Sequence, residues 1–185
     1  MWIWRHVGAE YRGCDSDYTG QGIDQIAQLI ESLKTDPFGR RHLITTYCPI
    51  YNDGGCLLPC HGIVTQFYVD FIDNQKLLSC HVYCRSQDTF LGQSFNIASY
   101  SILTHLIAKW VDMKPHQLIL SMGDAHIYKN HIEQVTTQLQ RSPLPFPVLT
   151  IADSVKQKTI DQLEVSDFEV SCYLYHPAIK APMAI

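Results

Sequence analysis

Apolar residues recur at Ile23, Ile26, Ala27, Ile30 and Leu33, the three-and-four spacing of a helix with one buried face. Thr19-Gly20-Gln21-Gly22 precedes this run, and Pro37 halts it after Lys34. The pattern then turns to strands. One is predicted over 42–48; after the loop signal Asn52-Asp53-Gly54-Gly55, two more cover 62–72 and 76–85, joined at Asp73-Asn74-Gln75 as a long antiparallel hairpin. From 95 to 111 the chain is apolar on nearly every side, with Ile97, Ile102, Leu103, Leu106, Ile107 and Trp110, and Pro115 lies just beyond. Such a helix belongs in the middle of a domain. Further on, a strand is predicted near 117–120, a helix over 125–141, and a strand near Val148 once Pro143, Pro145 and Pro147 have broken that helix. The sum is an α+β chain, a single domain over 1–185 with strands packed against a buried helix.

Composition narrows the classes. With 185 residues and 46% hydrophobic content, the chain can bury roughly 70% of its unfolded surface. Charged residues make up 17% and the net charge is -4, so no global basic field holds nucleic acid or an anionic membrane. No apolar run reaches the ~18 residues that cross a bilayer, and the N-terminus lacks the order of a signal peptide. Seven cysteines without framework spacing fit free thiols in a reducing compartment, so the sequence reads as soluble and cytoplasmic.

Several clusters could carry chemistry. Cys60, between Pro59 and His61, ends a glycine-containing loop at the mouth of a strand, where a thiol can be exposed on a rigid support. Arg85 and the pair Arg40-Arg41 are candidate cations to stabilise a thiolate; the alternative is that Cys60 is one more buried cysteine. Zinc is a rival, since Cys56-x-x-x-Cys60-His61 and Cys80-His81-x-x-Cys84 give two cysteine pairs. Strand geometry counts against it: residues four apart lie roughly 13 Å apart, too far to share a tetrahedral ion with bonds of about 2.3 Å. Arg85-Ser86-x-Asp88 offers a cation and a hydroxyl to a phosphate, and Asn96 entering the core suits an amide edge such as a pyrimidine's. Equally, Asp88 and Asn96 read as turn and cap residues. Gly123-Asp124-Ala125-His126-Ile127-Tyr128 is a second polar cluster at a strand-to-helix junction, with His126 open to either a ligand or a core role.

Taken together these phrases resemble the thymidylate synthase family. The resemblance is carried by Trp4-Arg5-His6-Val7-Gly8-Ala9-Glu10-Tyr11, Asp17-Tyr18-Thr19-Gly20-Gln21-Gly22, Pro59-Cys60-His61, Arg85-Ser86-Gln87-Asp88 and Phe95-Asn96-Ile97-Ala98-Ser99-Tyr100. Gly123-Asp124-Ala125-His126-Ile127-Tyr128-Lys129-Asn130-His131 and the ending Ile179-Lys180-Ala181-Pro182-Met183-Ala184-Ile185 follow in family order. It implies a thymidylate synthase-like mixed sheet packed on a buried central helix, with the N-terminal part of the family sequence missing.

The resemblance also implies a reaction. Cys60 adds to C6 of dUMP, and C5 of the resulting enolate attacks the methylene carbon of 5,10-methylenetetrahydrofolate. Hydride transfer from the folate then yields dTMP and dihydrofolate, with no metal. Arg85 and Ser86 match phosphate ligands; Arg40 and Arg41 match a pair that reaches the partner's phosphate site, implying a homodimer. Asn96 matches the reader of the uracil amide edge, and His126 and Tyr128 match contacts to the ribose hydroxyl, with Tyr128 also near the C5 proton. Asp88 matches a folate contact, and Met183-Ala184-Ile185, Ala184 included, matches a tail that closes over both ligands.

Departures from the family pattern are local or terminal. Tyr47 and Cys48 stand where Trp-Asn is common, Leu58 replaces the first of two prolines, and Cys84 replaces a glutamine. Met1 falls within a region the family sets well into the chain, so an arginine loop, a proton-transfer glutamate and a folate-facing tryptophan and asparagine are expected to be missing. Two other readings stand beside the synthase. One is a non-catalytic remnant that binds nucleotide or pairs with a full-length synthase; the other is a dCMP hydroxymethylase of the same fold, against which Asn96 argues.

Overall fold

A computed structural model of the chain describes residues 2–13, 15–49 and 61–183. A short helix α1 (Trp2–Arg5) leads to α2 (Gln25–Thr35), which buries Ile26 and Leu33 as expected and Leu29 with them, while Ile23 and Ala27 of the expected face are exposed. Asp24 caps α2, its Oδ1 accepting the Ala27 amide at 2.9 Å, while its Oδ2 accepts Arg5 Nε at 2.6 Å. One carboxylate therefore ends one helix and ties it to another.

Four strands form a mixed sheet in the order β1 (Leu43–Thr45), β2 (Val64–Ile72), β3 (Gln75–Asp88), β4 (Lys114–His126). The expected hairpin is β2 and β3, antiparallel from Val64 opposite Tyr83 to Ile72 opposite Gln75. Its turn is Asp73-Asn74, both at positive φ (51° and 58°), the mirror-image turn whose twist matches that of the strands. Between β3 and the parallel β4 runs α3 (Gln93–Trp110), a helical crossover of the kind parallel strands require. The inner face of β2 and β3, with Phe67, Val69, Leu78, Cys80, Val82 and Cys84, packs with α2 and with Tyr100, Leu106, Ile107 and Trp110 of α3. The other flank of α3 is open, with Phe95 73%, Ile97 43% and Ile102 39% exposed.

The elements differ from expectation in four places. The strand expected over 42–48 contracts to Leu43–Thr45, because only those residues find partners on β2. The strand expected near 117–120 grows to Lys114–His126, because its length follows the β3 ladder instead of its own alternation. It thereby takes Ala125 and His126 from the expected helix, which is a 3-10 turn at Lys129–His131 and then α4 (Ile132–Leu139). Near Val148, β5 (Val148–Ile151) forms as expected, but its antiparallel partner β6 (Phe168–Ser171) was not anticipated. Among the described residues no helix is long and apolar enough to cross a membrane.

Candidate functional site

Parallel pairing of β3 and β4 gathers the polar clusters at one end of the sheet. Ser86 stands opposite Asp124 and Asp88 opposite His126. Gly123 permits the close approach, for a Cβ there would lie 3.0 Å from the Arg85 carbonyl and from the Tyr83 hydroxyl. Ile63, at the entry to β2, donates its amide to the Tyr83 carbonyl at 3.1 Å, so the segment that follows Cys60 reaches the same end.

Asp88 fills the turn role expected of it: its Oδ1 accepts the amides of Phe90 and Leu91, both at 3.0 Å. Asn96 is not the helix cap, a position held by Gly92. Instead its Nδ2 donates to Gln87 Oε1 at 2.9 Å, and Gln87, 2% exposed, in turn donates to the Asp88 carbonyl at 3.1 Å. Gln87 thus orients Asn96, a role no sequence signal marked. Arg85 is exposed and Ser86 half-buried on successive strand positions. Their side chains leave opposite faces of β3.

His126 and His131 each carry a buried Nδ1 without a hydrogen bond. Asp124 Oδ1 lies 3.5 Å from that of His126, close enough for charge attraction but outside hydrogen-bonding geometry. The His126 ring meets Tyr128 edge to face at 4.9 Å between centroids, and Tyr128 meets His131 at 5.7 Å. His131 is fully buried, and its Nε2–H donates to the Pro182 carbonyl at 2.7 Å, 51 residues on. That bond anchors the C-terminal tail beside Tyr128 and was invisible to sequence reasoning.

Arg40 and Arg41 do not join this cluster. They are exposed beside Ser32, Asp36, Phe38 and His42 in a cleft of about 470 Å³. Leu43 pairs with Gln66, so Arg41 lies level with Tyr68, roughly 20 Å along the strand from His61. Cys60 and Ala184 lie outside the described residues, as do Cys56 and Leu58 of the loop. Cys80 and Cys84 are buried on the inner side of β3, and burial pushes the Cys80 thiol up to about 11. Such a thiol stays protonated at neutral pH, which does not suit a nucleophile.

Residues 2–185 match the family model described as thymidylate synthase. The chain is 48% identical to a thymidylate synthase of Saccharomyces cerevisiae, covering 98% of this chain and 60% of that relative. It is 47% identical to the thymidylate synthase of Homo sapiens, with 98% and 56% covered. Similarity extends at 43% identity to a bifunctional dihydrofolate reductase-thymidylate synthase of Leishmania major, of which 34% is covered. The chain therefore spans less than two thirds of the length of each of these relatives.

Proposed function

We propose that this chain, which belongs to the thymidylate synthase family, converts dUMP to dTMP with 5,10-methylenetetrahydrofolate, Cys60 being the nucleophile. The observation that supports it most is His126: a buried ring nitrogen without a hydrogen bond, at a strand end where Ser86, Asp88, Asn96 and Tyr128 converge, leaves room for a polar ligand. In this reading Arg85 and Ser86 hold the phosphate and favour the Cys60 thiolate. Asn96, its amide fixed by Gln87, pairs with the uracil edge and thereby selects the base. His126 and Tyr128 take the ribose hydroxyl, and Tyr128 stands near the proton removed from C5. Asp88 keeps Oδ2 for the folate, since Oδ1 is held by two amides. The folate supplies the one-carbon unit and the hydride; the tail ending in Ala184 and Ile185 closes over both ligands and excludes water.

A homodimer belongs to the same proposal. In this reading Arg40 and Arg41 reach the phosphate of the partner's site, which is consistent with their lying roughly 20 Å from the cluster of their own subunit. The outer face of the sheet offers a second copy an amphipathic surface, with Val64 opposite Tyr83 and His81 opposite Ile119. The whole chain acts as one domain in the cytoplasm.

Mass spectrometry after incubation with 5-fluoro-dUMP and methylenetetrahydrofolate tests the chemistry, because fluorine at C5 blocks elimination. The adduct is expected on Cys60; an adduct on Cys84, or none, would overturn the assignment. Asn96→Asp should shift preference from dUMP toward dCMP, since a carboxylate cannot donate to O4. A second reading, a chain that binds dUMP or pairs with a full-length synthase without turning over, is favoured by the open flank of α3 next to Asn96, where Phe95 is 73% exposed. Production of dihydrofolate separates the two.

A further inference from the structure

Three residues link Cys60 to β2, and different elements grip them. The Tyr100 hydroxyl on α3 meets His61 Nδ1 at 3.0 Å, with the rings edge to face at 5.8 Å. The Thr46 hydroxyl donates to the Gly62 carbonyl at 2.9 Å, and the Thr45 hydroxyl to the Ile63 carbonyl at 2.5 Å. From β3, the Tyr83 carbonyl accepts the Ile63 amide at 3.1 Å. Tyr100 is 3% exposed, so its phenol has no room to turn away. Gly62 sits at φ +65°, and a Cβ there would come within 2.0 Å of the Tyr100 hydroxyl. Any side chain at 62 would push the phenol off His61. A strand entry needs only its ladder; here two threonine hydroxyls and a phenol reinforce a point where a chain normally frays.

We propose that Tyr100, with Thr45 and Thr46, forms a positioning clamp for the Cys60 thiol, acting through the three residues that follow it. The inference rests on the reading of Cys60 as nucleophile. A sulfur must come within about 3–3.5 Å of the carbon it attacks, along a fixed line, and holding the His61 ring, the Gly62 carbonyl and the Ile63 amide and carbonyl limits how far the chain leading into them can stray. The phenol also fixes the His61 ring so that Nε2 faces away from Tyr100. Burial lowers the pKa of this imidazole, which favours the neutral ring.

The test uses Tyr100→Phe, Thr46→Val and Thr46→Ser in the 185-residue chain. Tyr100→Phe keeps the ring and loses only the hydroxyl. Adduct formation on Cys60 with 5-fluoro-dUMP and methylenetetrahydrofolate should slow about three- to tenfold, the worth of one hydrogen bond, with affinity for 5-fluoro-dUMP held within about twofold. Exchange of the Ile63 amide should quicken by a similar factor. Thr46→Val should do the same and Thr46→Ser should restore both readouts, since serine keeps the donor. Adduct formation at the parental rate in Tyr100→Phe and Thr46→Val overturns the clamp. Should the parent itself form no adduct, the reading of Cys60 fails, and amide exchange decides alone: faster exchange supports the clamp and unchanged exchange overturns it.

Discussion

The residues up to Met113 and those after it are held by different physics. Among the described residues, every fully buried apolar side chain except Val155 lies at or before Met113. Beyond it α4 buries nothing, Leu139 is 80% exposed and Phe146 93%. Apart from the β4 ladder on β3 and the partly buried Leu118, Leu120, Ile151, Ile160, Leu163 and Phe168 against the core, that second region is fastened by polar ties. Trp110 Nε1 donates to the Val155 carbonyl at 2.9 Å, Lys109 meets Asp153 at 2.6 Å, Lys158 meets Asp167 at 2.7 Å, and His131 holds Pro182. Apolar burial accumulates with area at about 25 cal/mol per Å², whereas each tie contributes about 0.5–1.5 kcal/mol, and exposed ion pairs less. The second region should therefore open locally before the first. It is also the region that carries His126, Tyr128 and the tail, the parts that the proposed function asks to admit and then enclose ligands.

The largest expected effect breaks the first region. Phe67→Ala should cost about 3–5 kcal/mol in urea denaturation, while Phe146→Ala stays within about 0.5 kcal/mol. A loss below about 1 kcal/mol at Phe67 would mean that the core is not where the burial pattern locates it.

Next comes the seam between the regions. Trp110→Phe leaves the Val155 carbonyl without its donor, at a cost of about 1–3 kcal/mol. Amide exchange in β5 and β6 should rise well before it does in β2 and β3; uniform acceleration would argue for one cooperative unit.

A smaller effect is expected at the tail. In His131→Phe the Pro182 carbonyl loses its donor, weakening the anchor by about 0.5–1.5 kcal/mol. Limited proteolysis should then cut beyond Ile179 faster, with the urea midpoint little changed. Cleavage at the parental rate would show that His131 is not the anchor.

The smallest effect is a pH dependence. Asp167 is held below the ordinary carboxylate value, first by the Lys158 hydrogen bond and then by the Glu164 amide. A depressed folded pKa gives stability that is complete above the unfolded value and is lost as pH falls through the folded one, here below about pH 4. Asp167→Asn should flatten that acid loss in circular dichroism between about pH 5 and 2, without altering the neutral plateau of the first region. An unchanged acid limb would remove Asp167 from the account.

Legibility followed the same division. α2, the β2–β3 hairpin and α3 were readable because burial on one face imposes a period of 3.6 or 2 on the sequence. β6 and the 3-10 turn at Lys129–His131 left no such mark, since Val170 is exposed and Ile132, directly after the turn, is too. At the site, Asp88 and His126 stood out as polar residues at strand ends, but Gln87 and His131 did not. A glutamine inside a polar motif gives no hint that it is buried against an asparagine nine residues on, nor a histidine that its partner is 51 residues away.

The sequence by itself determined the family and the α+β class and marked the residue types that could do chemistry, because those depend on short phrases and local periodicity. Only the tertiary structure decided which of those residues meet. The parallel register puts Asp88 against His126, the length of β1 and β2 keeps Arg40 and Arg41 away, and the φ of Gly62 lets Tyr100 reach His61. Hydrogen bonds between distant side chains depend on distances of a few tenths of an ångström, which are set when the sheet and α3 pack together and are written in no single segment.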